Sequence, residues 1–311
     1  MRRREFIRAL GGAAAWPLAA RGQPGGGKIF HIGILSLGVV GPRASPWWQP
    51  FFDELHKLGY VEGGNLLITY MGADAHPEHL LALATDLVKA KVHVIVTTGP
   101  KETLAAKQAT SSIPIVFTIV ADPVAQGVLT NLARPESNVT GLTTIAPGLY
   151  GKYVELLREI IRSAIRVAIV GGPSASSDLR QEVEKAGATL GVTAFFVPVA
   201  GADDFDMALT DARHDGAAGI IVIADAVTHA HRERFVQLAL HHRLPGIYWD
   251  RSYVEAGGLM SYSADLEELR HQAAHYVDKI LKGSKPGDLP VEQPRKFQLI
   301  INLKTAKPSL T

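Results

Sequence analysis

The stretch VHVIVTTGPKETLAAKQATSSIPIVFTIV, residues 92–120, decides the fold class of this chain. It contains two short apolar runs, 92–98 and 114–120, which are rich in Val and Ile. Such runs, bounded by Gly and Pro, are typical of buried strands, and the amphipathic run at 102–110 between them is typical of a helix. A strand, a helix and a second strand in this order predict two parallel strands joined by a crossover helix.

The same alternation extends through the chain in both directions. Further strands are predicted at 29–37, 65–70, 138–142, 166–171, 193–199, 219–224 and 246–249. Further helices are predicted at 46–59, 77–90, 124–133, 149–161, 177–190, 203–214 and 226–242. The pattern restarts near residue 149, so we predict an α/β protein of two Rossmann-like lobes, each built on a parallel sheet.

The end of the chain is predicted to return to both lobes. A long helix at 264–283 and a final strand at 297–303 follow the second series. If they pack on the first and second lobes in turn, three crossings form a hinge. The first lobe is then expected to comprise residues 28–143 plus 256–284, and the second lobe residues 144–255 plus 285–311. Ligands of such sheets bind at the carboxyl ends of the strands, so a cleft between the lobes is the expected site.

The N-terminus has the features of a cleaved export signal. Three arginines at positions 2–4 precede an apolar stretch at 9–20, which is too short to span a membrane, and small residues flank a cleavage site before Gln23. The sequence RREFI at 3–7 also fits a twin-arginine signal. We therefore predict a signal peptide over residues 1–22 and a periplasmic protein.

Charge and cysteine content exclude several kinds of partner and site. The net charge is +2, but residues 1–22 hold five arginines and one glutamate, so the remainder is slightly acidic. No basic block follows, and nucleic acid is not an expected partner. The chain has no cysteine, which excludes disulfides, thiolate metal sites, a thiol nucleophile and an N-terminal lipidated Cys.

Sequence motifs of common enzyme classes are absent. The glycines after the first strand, at 33, 38 and 41, lack the Gly-x-Gly-x-x-Gly spacing of a dehydrogenase. Neither a P-loop nor the Gly-x-Ser-x-Gly of a serine hydrolase occurs. Several histidines could be read as metal ligands, but all fall on predicted helix faces exposed to solvent: His229, His231, His241, His242, His271 and His275. We predict a non-enzyme without metal or cofactor.

An ordered set of short motifs gives a family resemblance. The motifs are RREFI at 3–7, LGYVEG at 58–63, AAKQAT at 105–110, IPIVF at 113–117, NVTGL at 138–142, EAGGLMSY at 255–262, YVDKILKG at 276–283 and LPVEQP at 289–294. Together they resemble the ABC-transporter solute-binding proteins whose characterised relatives include tryptophan and other aromatic amino-acid binders. The match runs from residue 1 to about residue 307.

This resemblance implies a type I periplasmic binding protein, a Venus flytrap that captures a small solute and delivers it to a membrane permease. A monomer is the default for this role. An amino acid or an aromatic carboxylate is the expected class of solute. A sensor module that reports a ligand to a receptor kinase is the alternative.

Strand ends supply the candidate ligand contacts. Ser36, Thr98 and Gly99 follow strands and precede helices, where free N–H groups would favour a ligand carboxylate, although they could also be simple turn residues. Asp122 and Asp225 also follow strands. Asp225 is the better candidate for a ligand ammonium, since capping of the next helix is a serious alternative for Asp122.

Two aromatic residues end the last strand of the second lobe. Tyr248 and Trp249 are expected either to stack on a ligand or to fill the surface between the lobes. Two departures from the family pattern also bear on the site. Lys101 and Glu102 near its mouth favour a more acidic or polar ligand, and the chain stops at Thr311, where a further short helix is usual. We therefore expect one outer element of the second lobe to be missing.

Overall fold

The computed structural model describes residues 28–38, 48–74, 76–135, 137–146, 148–161, 165–173 and 177–309. The signal peptide predicted for residues 1–22 lies outside this part of the chain. Within it, no helix combines the length and apolar character needed to cross a bilayer.

The first sheet has five parallel strands in the order β2-β1-β3-β4-β5. Its strands are β1 (Phe30–Ser36), β2 (Leu66–Gly72), β3 (Val94–Thr97), β4 (Ile115–Val120) and β5 (Val139–Thr143). The helices between them are α1 (Gln49–Lys57), α2 (Leu80–Lys89) and α3 (Pro100–Ala109). Strand β3 is buried throughout because helices cover both faces of the sheet.

The second lobe begins with α4 (Leu149–Ile160) and contains a sheet of six strands. Its strands are β6 (Arg166–Gly171), β7 (Thr193–Pro198), β8 (Gly219–Val222), β9 (Gly246–Tyr248), β10 (Met260–Ala264) and β11 (Phe297–Ile301). Its other helices are α5 (Ser177–Leu190), α6 (Phe205–His214), α7 (Ala226–Ala230), α8 (Arg232–His241), α9 (Ser252–Glu255) and α11 (Leu303–Ser309). The strand order is β11-β10-β9-β8-β6-β7, and only β11 is antiparallel to its neighbour. Two α/β lobes dominated by parallel sheets confirm the predicted fold class.

The crossings between the lobes differ from those predicted. Strand β10 pairs with β9 through Met260 and Ser261, so residues 256–264 belong to the second lobe and not to the first. The long helix α10 (Leu266–Leu281) then packs on α1 of the first lobe, as expected. The following segment also stays on the first lobe, because Glu292 bridges to Leu142 and its carbonyl accepts from the Thr143 N–H.

One further local prediction is wrong. Residues 124–133 form turns instead of a helix, because the Asp122 carboxylate accepts the N–H groups of Val124 and Ala125 and the chain turns at Gly127 with φ +70°. A short helix, α11, follows the last strand and contains Lys304 and Thr305.

One glycine allows the strands of the first lobe to approach each other closely. A Cβ on Gly141 of β5 would lie 2.1 Å from the carbonyl oxygen of Phe117 on β4. Because that oxygen belongs to the sheet backbone, it cannot move aside without disturbing the pairing. The lack of a side chain at Gly141 therefore allows β5 to pair with β4 at the edge of the sheet, just before the chain continues into the second lobe.

Candidate functional site

A cavity of about 410 Å³ lies between the two lobes. The first lobe contributes Pro100, Ile119, Ala121 and Gln126, and the crossings contribute Thr144, Ile145, Ser263, Ala264 and Leu266. The second lobe contributes Leu149, Tyr150, Tyr153, Ala224, Asp225, His229 and Trp249. The loops after β3, β4, β8 and β9 all reach it, so it lies at the carboxyl ends of both sheets. This is where parallel α/β sheets bind ligands.

Asp225 lies in the cavity wall and also begins helix α7. Its Oδ1 accepts the Thr228 N–H at 2.8 Å, which is the usual role of an N-cap carboxylate. Its Oδ2 lies over Gly172, where a Cβ would come within 2.7 Å of it. Asp225, predicted as a ligand contact, therefore lines the cavity, and one of its oxygens is already engaged by the helix.

His229 and Trp249 form an aromatic pair in the same wall. Their ring centroids are 5.0 Å apart, and the His229 Nε2 lies 3.8 Å from Oδ1 of Asp250. Burial by itself would raise the pKa of Asp250, but the nearby His229 imidazole and the hydrogen bond from Ser252 outweigh it and lower the pKa below its ordinary value. His229 was expected on a solvated helix face, whereas the structure places it beside a buried carboxylate.

Tyr150 and Tyr153 form the floor of the cavity. Both are on the first turns of α4, with ring centroids 5.3 Å apart in an edge-to-face arrangement. Burial raises the pKa of both hydroxyls well above the ordinary value, so both rings stay neutral at physiological pH. Sequence reasoning missed them, because an aromatic residue on the apolar stripe of a helix looks the same whether it packs in a core or faces a cleft.

Tyr248 lies apart from the cavity, although it is adjacent to Trp249. Its ring is 1% exposed and stacks on Tyr253 with centroids 4.8 Å apart. Tyr248 is the last residue of β9, whereas Trp249 lies in the bend after the strand, where its side chain reaches the cavity. Tyr248 belongs to the core beneath the sheet, together with Phe235 and Val236.

Ser36, Thr98 and Gly99 come together around the carboxylate of Glu102. Oε1 of Glu102 accepts the Leu37 N–H at 2.9 Å and the Thr98 hydroxyl. Its Oε2 lies 3.0 Å from the position of a Cβ on Gly99, and the side chain is buried. Glu102 was expected at the mouth of the site, but it points inward and engages donors expected to serve a ligand carboxylate.

Asp122 caps the turn after β4. Its Oδ1 accepts the N–H groups of Val124 and Ala125 at 3.1 and 2.9 Å. Ala121 and Gln126 on either side of this turn line the cavity. The geometry supports the capping alternative for Asp122 and adds Gln126, which sequence reasoning missed, to the polar groups of the wall.

The described residues contain no group of three His, Cys, Asp or Glu side chains arranged to hold a metal ion. His271 and His275 of α10, one turn apart, instead contact the two oxygens of Glu54 on α1, at 3.2 and 3.1 Å. These contacts join two helices of the first lobe and lie outside the cavity wall.

Comparison with known proteins finds relatives that align with most of this chain. A tyrosine-binding protein of Clostridioides difficile is 25% identical over 295 residues, which cover 90% of this chain and 81% of that protein. The structure of a conserved domain protein from Vibrio cholerae is 28% identical, with a TM-score of 0.79 over 91% of this chain and 96% of the other.

The ABC domain of a Streptococcus protein, solved in complex with L-Trp, has the same TM-score of 0.79 at 21% identity, covering 91% of this chain and 95% of that one. At this identity the likeness concerns the fold, which is that of the type I periplasmic binding proteins. A model of the family of ABC transporter substrate binding proteins matches residues 38–309. Since that match spans most of the chain, the protein belongs to the ABC transporter substrate binding protein family.

Proposed function

We propose that this protein captures a small amino-acid or aromatic solute between its lobes and delivers it to the membrane permease of an ABC importer. The observation that carries the proposal is the cavity between the lobes, which combines aromatic rings from Tyr150, Tyr153 and Trp249 with the carboxylate of Asp225. Ligand cavities in proteins are mostly apolar and hold a small number of placed polar groups, as this one does.

The relatives support the ligand class. One is named for tyrosine and another was solved with L-Trp, and both have most of their length in common with this chain. An aromatic ring fits among the tyrosine and tryptophan side chains, and an ammonium group pairs with a carboxylate. The residues proposed to contact the ligand are Asp225, Trp249, His229, Tyr150 and Gln126.

The segments that join the two lobes support a mechanism in which the lobes close around the ligand. The cavity wall combines residues of both lobes and of the segments that join them. A ligand that contacts both lobes binds the closed form more tightly than the open form, so it shifts the population towards closure. A permease can then distinguish loaded from empty protein by its shape. Membership of a transporter family favours this role over a sensor for a receptor kinase.

The proposed role in import determines the cellular compartment in which the protein works. A receptor for an importer works outside the cytoplasm, so we propose that residues 1–22 direct export to the periplasm and are removed there. Expression of the full chain with an epitope at the C-terminus, followed by fractionation, tests this. A shortened protein in the periplasmic fraction is expected, and a full-length protein retained in the cytoplasm would contradict it.

A ligand screen tests the function. The mature protein, residues 23–311, would be screened by thermal shift against amino acids, aromatic acids, amines, polyamines, sugars and nucleosides. A ligand present at about 100 times its Kd adds about 2.7 kcal/mol to the free energy of unfolding, which is an easily measured shift. Hits among amino acids or aromatic compounds would support the proposal, and hits confined to sugars or nucleosides would contradict the ligand class.

A further inference from the structure

The carboxyl ends of β1 and β3 are the part of the first lobe best suited to bind a ligand carboxylate. Both loops contain hydroxyl and backbone N–H donors, and helix α3 begins at the second of them. The positive end of a helix and its free N–H groups ordinarily make such a position attractive to an anion. The charges at this position therefore decide which ligands the site accepts.

In this chain a protein carboxylate already occupies that position. Glu102 in the first turn of α3 is only 5% exposed and accepts hydrogen bonds from the Leu37 N–H and the Thr98 hydroxyl. The Ser36 oxygen accepts the Gly38 N–H at 3.2 Å, which leaves the Ser36 hydroxyl hydrogen able to donate. The negative charge of Glu102 offsets the positive end of α3. An incoming carboxylate would therefore meet a like charge and compete with Glu102 for the Leu37 and Thr98 donors.

The helix end that faces the cavity is also poor in donors. Pro100 is the first residue of α3 and lines the cavity. Proline has no N–H group, so it offers an apolar ring where other residues would offer a hydrogen-bond donor. Gly99, which precedes it, packs against the Glu102 carboxylate. Glu102 itself does not line the cavity; it follows Pro100 by two residues in the first turn of α3.

The wall of the cavity that the second lobe forms also carries a negative charge. Asp225 of the second lobe lines the cavity, and among the described residues of its lining there is neither Lys nor Arg. The rings of Tyr150, Tyr153 and Trp249 add π faces, which attract cations. Carboxylates from the two lobes and the aromatic rings between them form an environment for a positively charged group.

We infer that the cavity selects an aromatic amine that lacks a carboxylate, and that Glu102 is the residue that rejects the carboxylated counterpart. This inference rests on the proposed function and narrows its ligand class. A glutamate near the mouth was expected to favour an acidic ligand. The inferred preference is the opposite, because the Glu102 carboxylate already occupies the position where a ligand carboxylate would bind.

Matched sets of ligands test the inference directly. Titration calorimetry would compare phenethylamine with phenylalanine and phenylpropionate, and tryptamine with tryptophan and indolepropionate, using the mature wild-type protein. Within each set only the charged groups change. We expect the amine to bind at least about tenfold more tightly than the amino acid, as a like-charge contact implies, and the acid not to bind.

A charge-removing variant tests the assigned residue. Glu102→Gln retains an oxygen that can accept from Leu37 and Thr98 and removes the charge, so the preference for amine over amino acid is expected to fall at least about threefold. Asp86→Asn is the matched control, because Asp86 is exposed near the C-terminal end of α2, pairs only with Lys89 among the described ion pairs, and does not line the cavity. It should leave the preference unchanged.

The possible results distinguish a failure of this inference from a failure of the proposed function. Tighter binding of the amino acids or acids to the wild type would overturn the inference and leave the proposed function standing. An unchanged preference in Glu102→Gln, with its Tm retained, would overturn the role of Glu102. If no compound of either set binds, the proposed ligand class fails and the inference fails with it. The wild-type comparison stands even if the variant does not fold.

Discussion

The imidazole of His229 lies against the indole of Trp249, with ring centroids 5.0 Å apart, and its Nε2 lies 3.8 Å from Oδ1 of the buried Asp250. This places an aromatic wall of the cleft and a buried carboxylate on one short connection between β9 and α9. The ligand surface and the stability of the second lobe are therefore linked through a single side chain.

Substitutions of Asp225 can distinguish its proposed contact with the ligand from its role as the N-cap of α7. Asp225→Asn removes the charge but keeps an oxygen for the Thr228 N–H, and asparagine is as good an N-cap as aspartate. We expect the Tm of this variant to be unchanged and binding of an amine-bearing ligand to weaken by about 2–5 kcal/mol, measured by calorimetry.

Asp225→Ala is the companion variant. It loses both the charge and the cap, so we expect the same loss of affinity together with a loss of about 1 kcal/mol in the free energy of unfolding. Wild-type affinity in both variants would show that Asp225 is a helix cap and no ligand contact.

Substitutions of Trp249 and of its neighbour Tyr248 are expected to affect ligand affinity differently. Trp249→Ala removes a ring from the cavity wall and should weaken ligand binding by about 2 kcal/mol, the loss typical of a buried aromatic anchor. Tyr248→Phe leaves the stacked ring in place beneath the sheet and should leave affinity unchanged. Calorimetric titration of both variants checks this, and an affinity loss confined to Tyr248→Phe would contradict the placement of Trp249 in the cavity wall and of Tyr248 in the core.

The contact of His229 with Asp250 predicts a pH dependence of stability. Because the pKa of Asp250 is lower in the folded protein than its ordinary value, its ionised form stabilises the fold above that ordinary value. This contribution is lost as the pH falls through the folded pKa. Removing the imidazole in His229→Ala should raise the folded pKa of Asp250, so the midpoint of acid unfolding should move to higher pH.

Circular dichroism during acid titration measures that midpoint. His231→Ala is the control, since His231 lies two residues away, is exposed, and does not contact Asp250 through any described hydrogen bond or ion pair. Equal midpoints for His229→Ala and wild type would show that Ser252, which donates its N–H to Asp250 at 2.8 Å, is sufficient to hold the carboxylate.

Gly141 is predicted to be intolerant of any side chain. A Cβ there would lie 2.1 Å from the Phe117 carbonyl oxygen, so Gly141→Ala must push two paired strands apart and should cost about 3 kcal/mol or more of unfolding free energy. Urea denaturation measures this cost. Gly201→Ala, where nothing lies within 4 Å of the added Cβ, is the control and should have little effect. Comparable losses in the two variants would contradict the argument.

Local chemistry in the sequence was sufficient to predict most of the regular elements. The run at 92–98 is buried on both faces of a sheet, and such strands are recognisable from Val and Ile content alone. The helix predicted at 124–133 failed because the Asp122 side chain and the glycine at 127 favour turns, and periodicity does not detect that competition. The positions of Asp225 and Trp249 in the cleft were also predictable, since both follow strands.

Hydrophobic periodicity is a local property, so it predicts the class of architecture, two lobes of alternating strands and helices. Three further features could not be predicted from that pattern: β10 joins the second lobe, Trp249 and not Tyr248 reaches the cavity, and Glu102 turns inward to bind donors of the first lobe. Each of these depends on contacts between residues far apart in the chain, such as Leu37 with Glu102, and the energy of such contacts is not encoded in any single stretch of sequence.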